Sequence, residues 1–381
     1  MRRSRSALAR RLAILLVPIL LSGCYAGYLA RAAYEGGRIL WHRQPIDDAL
    51  AQRDLSEDTR AKLETVLAVR KFADEQLGEN VDGAYKSIAP VDKSAVVHVV
   101  MAAPRDSLEP YTWWFPIVGR VPYRGYFDEA DASAEAQALE ANGLDTMVRP
   151  AVAFSSLGFF SDPVLTSLLK LNRVELAGVL IHELFHRTYY MPSDAMFNES
   201  AATYVGSAGA VAFFAATSGE SAPETIAARG ILESDLKFAR FLLKERARLL
   251  DIYVSDLSTA EVLKRREVAF AAIKKDYAEL EPSLSGLERF DLDKQPLNNA
   301  VLVNYLIYFH DLDNFAALQR MNHGDLRATI EQIISIAKAH PEDPFYAIWQ
   351  VARAAPAAPG PQTRSEAAST RDNSASLPPK K

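Results

Sequence analysis

The 381-residue chain has a single cysteine, Cys24. Without a second thiol an intramolecular disulfide is excluded, so stability must come from packing or a bound metal. Long apolar runs are also missing. The stretch Leu12 to Leu21 is shorter than the ~20 residues a mature membrane-spanning helix needs. Positive charge is not in excess: 43 Lys and Arg stand against 48 Asp and Glu, a net charge of −5. Nucleic acid is therefore disfavoured as a partner, and so is a polybasic membrane contact. What is present is the composition of a folded protein, with 49% hydrophobic and 24% charged residues, enough to bury a core.

Arg2, Arg3, Arg5, Arg10 and Arg11 precede the apolar run, the pattern of a secretory signal. Its end, Leu21-Ser22-Gly23-Cys24, resembles a bacterial lipobox. That resemblance implies removal of residues 1–23 and acylation of Cys24, and more than one acyl chain makes a firm membrane anchor. Residues 1–23 hold five arginines and no acid, so the processed chain would carry about −10. The expected place is the bacterial cell envelope, lipid-anchored and facing the periplasm. Residues 24–55 read as an anchor or stalk segment. Residues 355–381, rich in Ala, Pro, Ser and charge, have nothing to bury and read as a disordered tail.

Between these ends lies one domain, 56–354. Ser56 offers a cap to a helix over 57–77 that stops at Gly78. Ala95 to Ala103 is valine-rich and short, which predicts a strand, with His98 inside it as a core residue. Trp113 to Phe127 crowds aromatics, glycines and prolines, excludes a regular helix, and either plugs the core or walls a cleft. A helix over Asp128 to Asn142 and a strand over Asp145 to Phe154 follow. Leu168 to Tyr190 reads as one helix ended by Met191-Pro192, and a second runs over 195–215. Residues 222–280 form a charged helical hairpin broken near 251–258. Pro296 to Ala300 opens a late helix carrying Tyr305, Tyr308 and His310. The fold class is α+β, mainly helical, with a small sheet.

The chemistry gathers at His182-Glu183-Leu184-Phe185-His186. Two imidazoles four residues apart share one helix face and can hold one metal ion, while Glu183 beside them can take a proton from water. Asn198-Glu199-Ser200-Ala201 lies early on the next helix, and Glu199 can point back across a short turn. Small residues from Ala201 to Ala210 let the two helices approach. His182, His186 and Glu199 are thus the expected ligands, with Zn2+ as cofactor and one position left open, as in catalytic zinc sites. Asp194 is the substitute third ligand. A histidine six positions after His186 is absent, since Pro192 stands there. Asn198 either orients the site or caps the helix.

These stretches, together with Trp114-Phe115-Pro116, Tyr123 to Phe127, Ser155 to Gly158 and Asp162-Pro163, resemble a bacterial family of predicted zinc aminopeptidases of the gluzincin type over about 24–350. The resemblance implies a zincin-like domain with an active-site helix, a peptide substrate, and amide hydrolysis with Glu183 as general base. By analogy with thermolysin-type peptidases, Ala151, Ala153 and Phe154 would bind substrate through the main chain of an edge strand, or else belong to an ordinary core strand. Tyr305 is the expected donor to the oxyanion. Glu175 and Asp162 are available to hold a free amine. The sequence departs from the thermolysin pattern in a shorter spacing to Glu199 and in Thr203, where the longer motif has an aspartate. Two other readings remain open at this stage: an envelope endopeptidase, and a lipoprotein scaffold whose metal is structural.

Overall fold

The computed structural model describes residues 23–91, 97–115, 118–151, 162–286, 290 and 292–354. The signal run up to residue 22, Ala153, Phe154, the turn at Ser155 to Gly158 and the tail 355–381 lie outside the described residues.

Helix α1 (Gly23–Trp41) lies back on the domain. Tyr28 meets the Tyr126 ring edge-on at 5.7 Å, Arg31 donates to Asp131 at 3.0 Å, and Ile39 is buried with Ala89 and Leu165. Its opposite side leaves Tyr34 and Trp41 in water, Trp41 at 86% exposure. No described helix is long and apolar enough to cross a membrane.

After β1 (Gln44–Pro45) and α2 (Ile46–Leu50) comes α3 (Glu57–Phe72), whose first turn is capped by the Ser56 side chain accepting from the Thr59 N–H. It winds on as a π turn, Ala73–Leu77, and stops at Gly78, whose φ of 73° no β-carbon favours. Strands β2 (Ser87–Ala89), β3 (Val97–Pro104), β4 (Trp113–Phe115), β5 (Gly119–Val121) and β6 (Tyr123–Tyr126) follow, then α4 (Glu129–Ala141), β7 (Leu144–Ala151) and β8 (Val164–Leu165). The aromatic segment is no helix, as expected, but three short strands, with Trp113 buried in the smaller core cluster and Trp114 exposed. The central sheet has the order β6-β3-β7, all antiparallel, with Val99 opposite Arg149. Among the described residues β7 pairs on one side only. Alternation along it sends Met147 into the main core and Val148 into a smaller cluster under α4.

Two long helices form the heart of the molecule: α5 (Arg173–Thr188) and α6 (Ala195–Ser218). The expected single helix from 168 to 190 is shorter, because Asn172 and Glu175 form a reciprocal capping box that starts it at Arg173, after a 3-10 turn at Leu168–Lys170. Around this pair pack α7 (Pro223–Tyr253) and α8 (Thr259–Leu280), the charged hairpin, then α9 (Asn299–Tyr308), α10 (Leu312–Met321), α11 (Leu326–Ala339) and α12 (Pro344–Ala354). The chain is α+β and mainly helical, as its periodicity predicts. One buried ion pair ties the layers: Arg266 of α8 reaches Asp145 of β7 at 2.8 and 3.2 Å, and Asp145 also accepts from the Asn299 N–H that opens α9.

Candidate functional site

Helices α5 and α6 touch almost backbone to backbone. A β-carbon on Gly206 would stand 2.7 Å from the Gly178 carbonyl oxygen and 3.0 Å from the His182 β-carbon. One on Gly209 would meet Ile181 at 2.8 Å. Glycine at these two positions is what allows side chains from both helices to share a single point.

At that point three donor atoms converge. His182 Nε2 and His186 Nε2 lie 3.1 Å apart, and Glu199 Oε2 stands 3.2 and 3.3 Å from them. The three residues are the only group of this kind among the described residues. Zinc with ligands at about 2.0–2.2 Å in a tetrahedral shell spaces its donors by roughly 3.4 Å, close to this triangle. Both imidazoles can donate to Glu199 Oε2, but that sets their two Nε2–H groups face to face at 3.1 Å, whereas a central cation lets all three atoms act as acceptors. The residues present fit a metal ion.

The electrostatics point the same way. Burial raises the Glu199 carboxyl, but His186 and the hydrogen bonds to both imidazoles outweigh it and hold the group far below the usual carboxylate range. Burial lowers His186, yet Glu199 beside it raises it above the ordinary imidazole value. Glu199 is thus held as a carboxylate in a buried place, where a cation can pair with it. Glu199 Oε1 accepts from Tyr123 of β6 at 3.2 Å, which fixes the carboxylate with Oε2 toward the imidazoles. His186 Nδ1 is buried with no hydrogen-bond partner among the described residues.

Glu183, on the same helix face, is pushed up above the usual carboxylate value by burial, against the pull of His182 and His186. It lines a cleft of about 750 Å³ together with Gly178, His182, Thr203, Gly206 and Ser207. The opposite wall is Met147 to Pro150 of β7, and the roof is Asn304, Tyr305 and Tyr308 of α9. Of the sequence-proposed substrate strand, Ala151 ends β7 while Ala153 and Phe154 are outside the described residues. The stretch of β7 that faces the cleft is 147–150.

Tyr305 reaches the cleft, and its ring also packs edge-on against Phe238 at 5.3 Å. Tyr308, one turn later, is nearer the donor triangle: its ring stacks on His182 at 6.4 Å, and Arg149 donates to its hydroxyl at 3.1 Å. Sequence reasoning noted Tyr308 without choosing it, because a turn of helix has no sequence signal for which tyrosine faces inward. Tyr123 had its place in the family-like stretch Tyr123 to Phe127 as its only signal, and Arg149 none beyond its presence in a strand. Asp194 caps α6 by accepting from the Phe197 N–H at 3.0 Å and is not in the triangle. Asn198 clasps the Met191 backbone from both sides, at 2.8 and 2.7 Å, and so holds the turn between α5 and α6. Asp162 is buried against Arg187 at 3.3 Å, and Glu175 accepts from the Asn172 N–H in the capping box while lining the cleft.

A helical α+β domain whose two central helices bring two histidines and a glutamate together beside a second glutamate, in an open cleft, has the makings of a hydrolase. The chain belongs to the family described as "Putative aminopeptidase", whose model matches residues 27–345. Membership implies peptidase activity and a peptide substrate. No curated protein and no solved structure matches the chain.

Proposed function

We propose that the protein is a zinc-dependent aminopeptidase of the gluzincin type, anchored in the bacterial envelope by acylation of Cys24. The observation that carries the reading is the triangle His182, His186 and Glu199, with edges of 3.1 to 3.3 Å, placed beside Glu183 at the wall of a cleft. A purely structural zinc site needs neither the open cleft nor the extra carboxylate.

His182, His186 and Glu199 would hold the ion, which when bound would supply Lewis acidity to the scissile carbonyl and to water. Glu183 accepts a proton from the attacking water and passes it to the leaving amine, a task suited to a carboxyl raised by burial. The Tyr308 hydroxyl, kept protonated by burial and held by Arg149, donates a hydrogen bond to the carbonyl oxygen as negative charge grows there. The edge of β7 that pairs with no strand among the described residues offers main-chain groups to an extended peptide. The lipid anchor rests on the lipobox alone, and the exposed Tyr34 and Trp41 suit a helix lying near a membrane surface.

The test joins metal content to hydrolysis. Wild type and Glu199→Ala, purified without residues 1–24, are assayed for zinc and for cleavage of matched peptides with free and acetylated amino termini. The expected outcome is one zinc per chain, lost in the variant, and chelator-sensitive cleavage that requires the free amine. Cleavage of acetylated peptides at equal rate would replace the aminopeptidase by an endopeptidase. A folded, metal-free wild type would leave the scaffold reading.

A further inference from the structure

The cleft contains a cation that the proposed hydrolysis needs only in part. Arg149, on β7, donates through Nε to Asn304 Oδ1 at 2.9 Å and through Nη2 to the Tyr308 hydroxyl at 3.1 Å. Its Cζ lies 5.7 Å from the Tyr308 ring centre. Among the described residues no carboxylate pairs with it and no group accepts from its Nη1. Arg124, the other arginine in the strands of this sheet, is by contrast paired with Glu135, at 3.6 Å. Much of the surrounding wall is apolar, formed by Met147, Val148, Leu171 and Val174. The guanidinium is half-buried and meets no carboxylate within ion-pair distance among the described residues, so its fork can take a carboxylate that enters the cleft.

Position sets which carboxylate. The Tyr308 ring lies 6.4 Å from that of His182, so at most about 12 Å separates Arg149 Cζ from the centre of the His182 ring. An extended peptide covers about 3.3–3.6 Å per residue. A chain whose scissile carbonyl sits at the triangle therefore brings its C-terminus to Arg149 after one to three further residues. The cleft volume, about 750 Å³, is that of a pocket for a small ligand.

We propose that Arg149 binds the free C-terminal carboxylate of the substrate, so that this protein acts on short peptides, with one to three residues beyond the scissile bond. This rests on the peptidase reading of the site. Planar guanidinium meets carboxylate through two parallel N–H donors, and Asn304 and Tyr308 hold the plane still. A main-chain amide in the same place offers one weaker acceptor.

The experiment uses the full-length chain in detergent, loaded with zinc, and compares leucyl-glycyl-glycine with its C-terminal amide. Wild type is expected to show a KM at least about tenfold higher for the amide, with kcat little changed, as expected for an interaction present equally in ground and transition states. In Arg149→Met the two substrates should become equal, and Arg149→Lys should restore part of the preference. Equal KM values in wild type would overturn the proposal. So would an Arg149→Met variant that slows both substrates alike while keeping their ratio, since that marks a residue that only positions Tyr308. Binding of both peptides to Glu183→Gln, measured by calorimetry, separates this proposal from the peptidase reading. Tighter binding of the free acid without any hydrolysis by wild type would keep the carboxylate site and discard the peptidase, whereas equal binding would discard the site.

Discussion

Replacing Gly206 by alanine probes the contact on which the whole site depends. The added carbon would lie 2.7 Å from the Gly178 carbonyl oxygen and 3.0 Å from the His182 β-carbon. Both obstacles are close to backbone and cannot swing away, so α5 and α6 must part by several tenths of an ångström. Zinc sites tolerate distance errors of about 0.2 Å. Glu199 stands on the same face of α6, two turns before Gly206, and would be carried off from His182 and His186. Overpacking of this kind costs about 1–3 kcal/mol, and the better helix propensity of alanine returns about 1 kcal/mol. The net expectation is a loss of roughly 0–2 kcal/mol and a fall in zinc affinity of about tenfold or more. Gly178→Ala is the control. Its β-carbon would meet the Gly206 carbonyl oxygen at 3.6 Å and the Ala210 β-carbon at 3.9 Å, ordinary contacts, so that variant should be neutral or more stable by up to about 1 kcal/mol. Thermal unfolding with and without chelator, and competition with a zinc dye, read both. If the two variants behave alike, or if Gly206→Ala keeps wild-type zinc affinity, the close approach of the helices is not what builds the triangle.

Other consequences can be measured directly. Tyr308→Phe should lower kcat by about 10²–10³ with a smaller change in KM, while Tyr305→Phe should have the lesser effect; the reverse order would return the donor role to Tyr305. Arg266→Met leaves buried Asp145 with only the more exposed Arg105, at 3.5 Å, and should cost at most about 3–5 kcal/mol in urea unfolding, a loss that Asp145→Asn would not repeat in full. Cys24→Ser should abolish labelling by a radioactive fatty acid and release the protein from the membrane fraction, and unchanged membrane recovery would remove the anchor.

Much of the helical framework was legible because it depends on neighbours in sequence. The Ser56 cap, the Gly78 stop, the Asn142-Gly143 end of α4 and the break between α7 and α8 are local chemistry, and they fall where the pattern puts them. The spacing of His182, Glu183 and His186 fixes their shared face through helix geometry alone. Glu199 was reachable because a short turn leaves little choice of direction. The start of α5 was misjudged, since leucines at 168 and 169 continue the apolar pattern while the Asn172 and Glu175 cap overrides it.

What the sequence by itself determined, then, is most of the helices, the two longer strands β3 and β7 and a candidate ligand set, all encoded over a few residues. Only the tertiary structure decided what faces that set: Tyr123 from β6 on Glu199, Tyr308 from α9 on His182, and Arg149 from β7 at the cleft wall. These residues are separated from the histidines by roughly 30 to 130 positions of chain. No local preference links them. They meet because the β6-β3-β7 sheet and α9 pack on the α5 and α6 pair, and because Gly206 and Gly209 let that pair close.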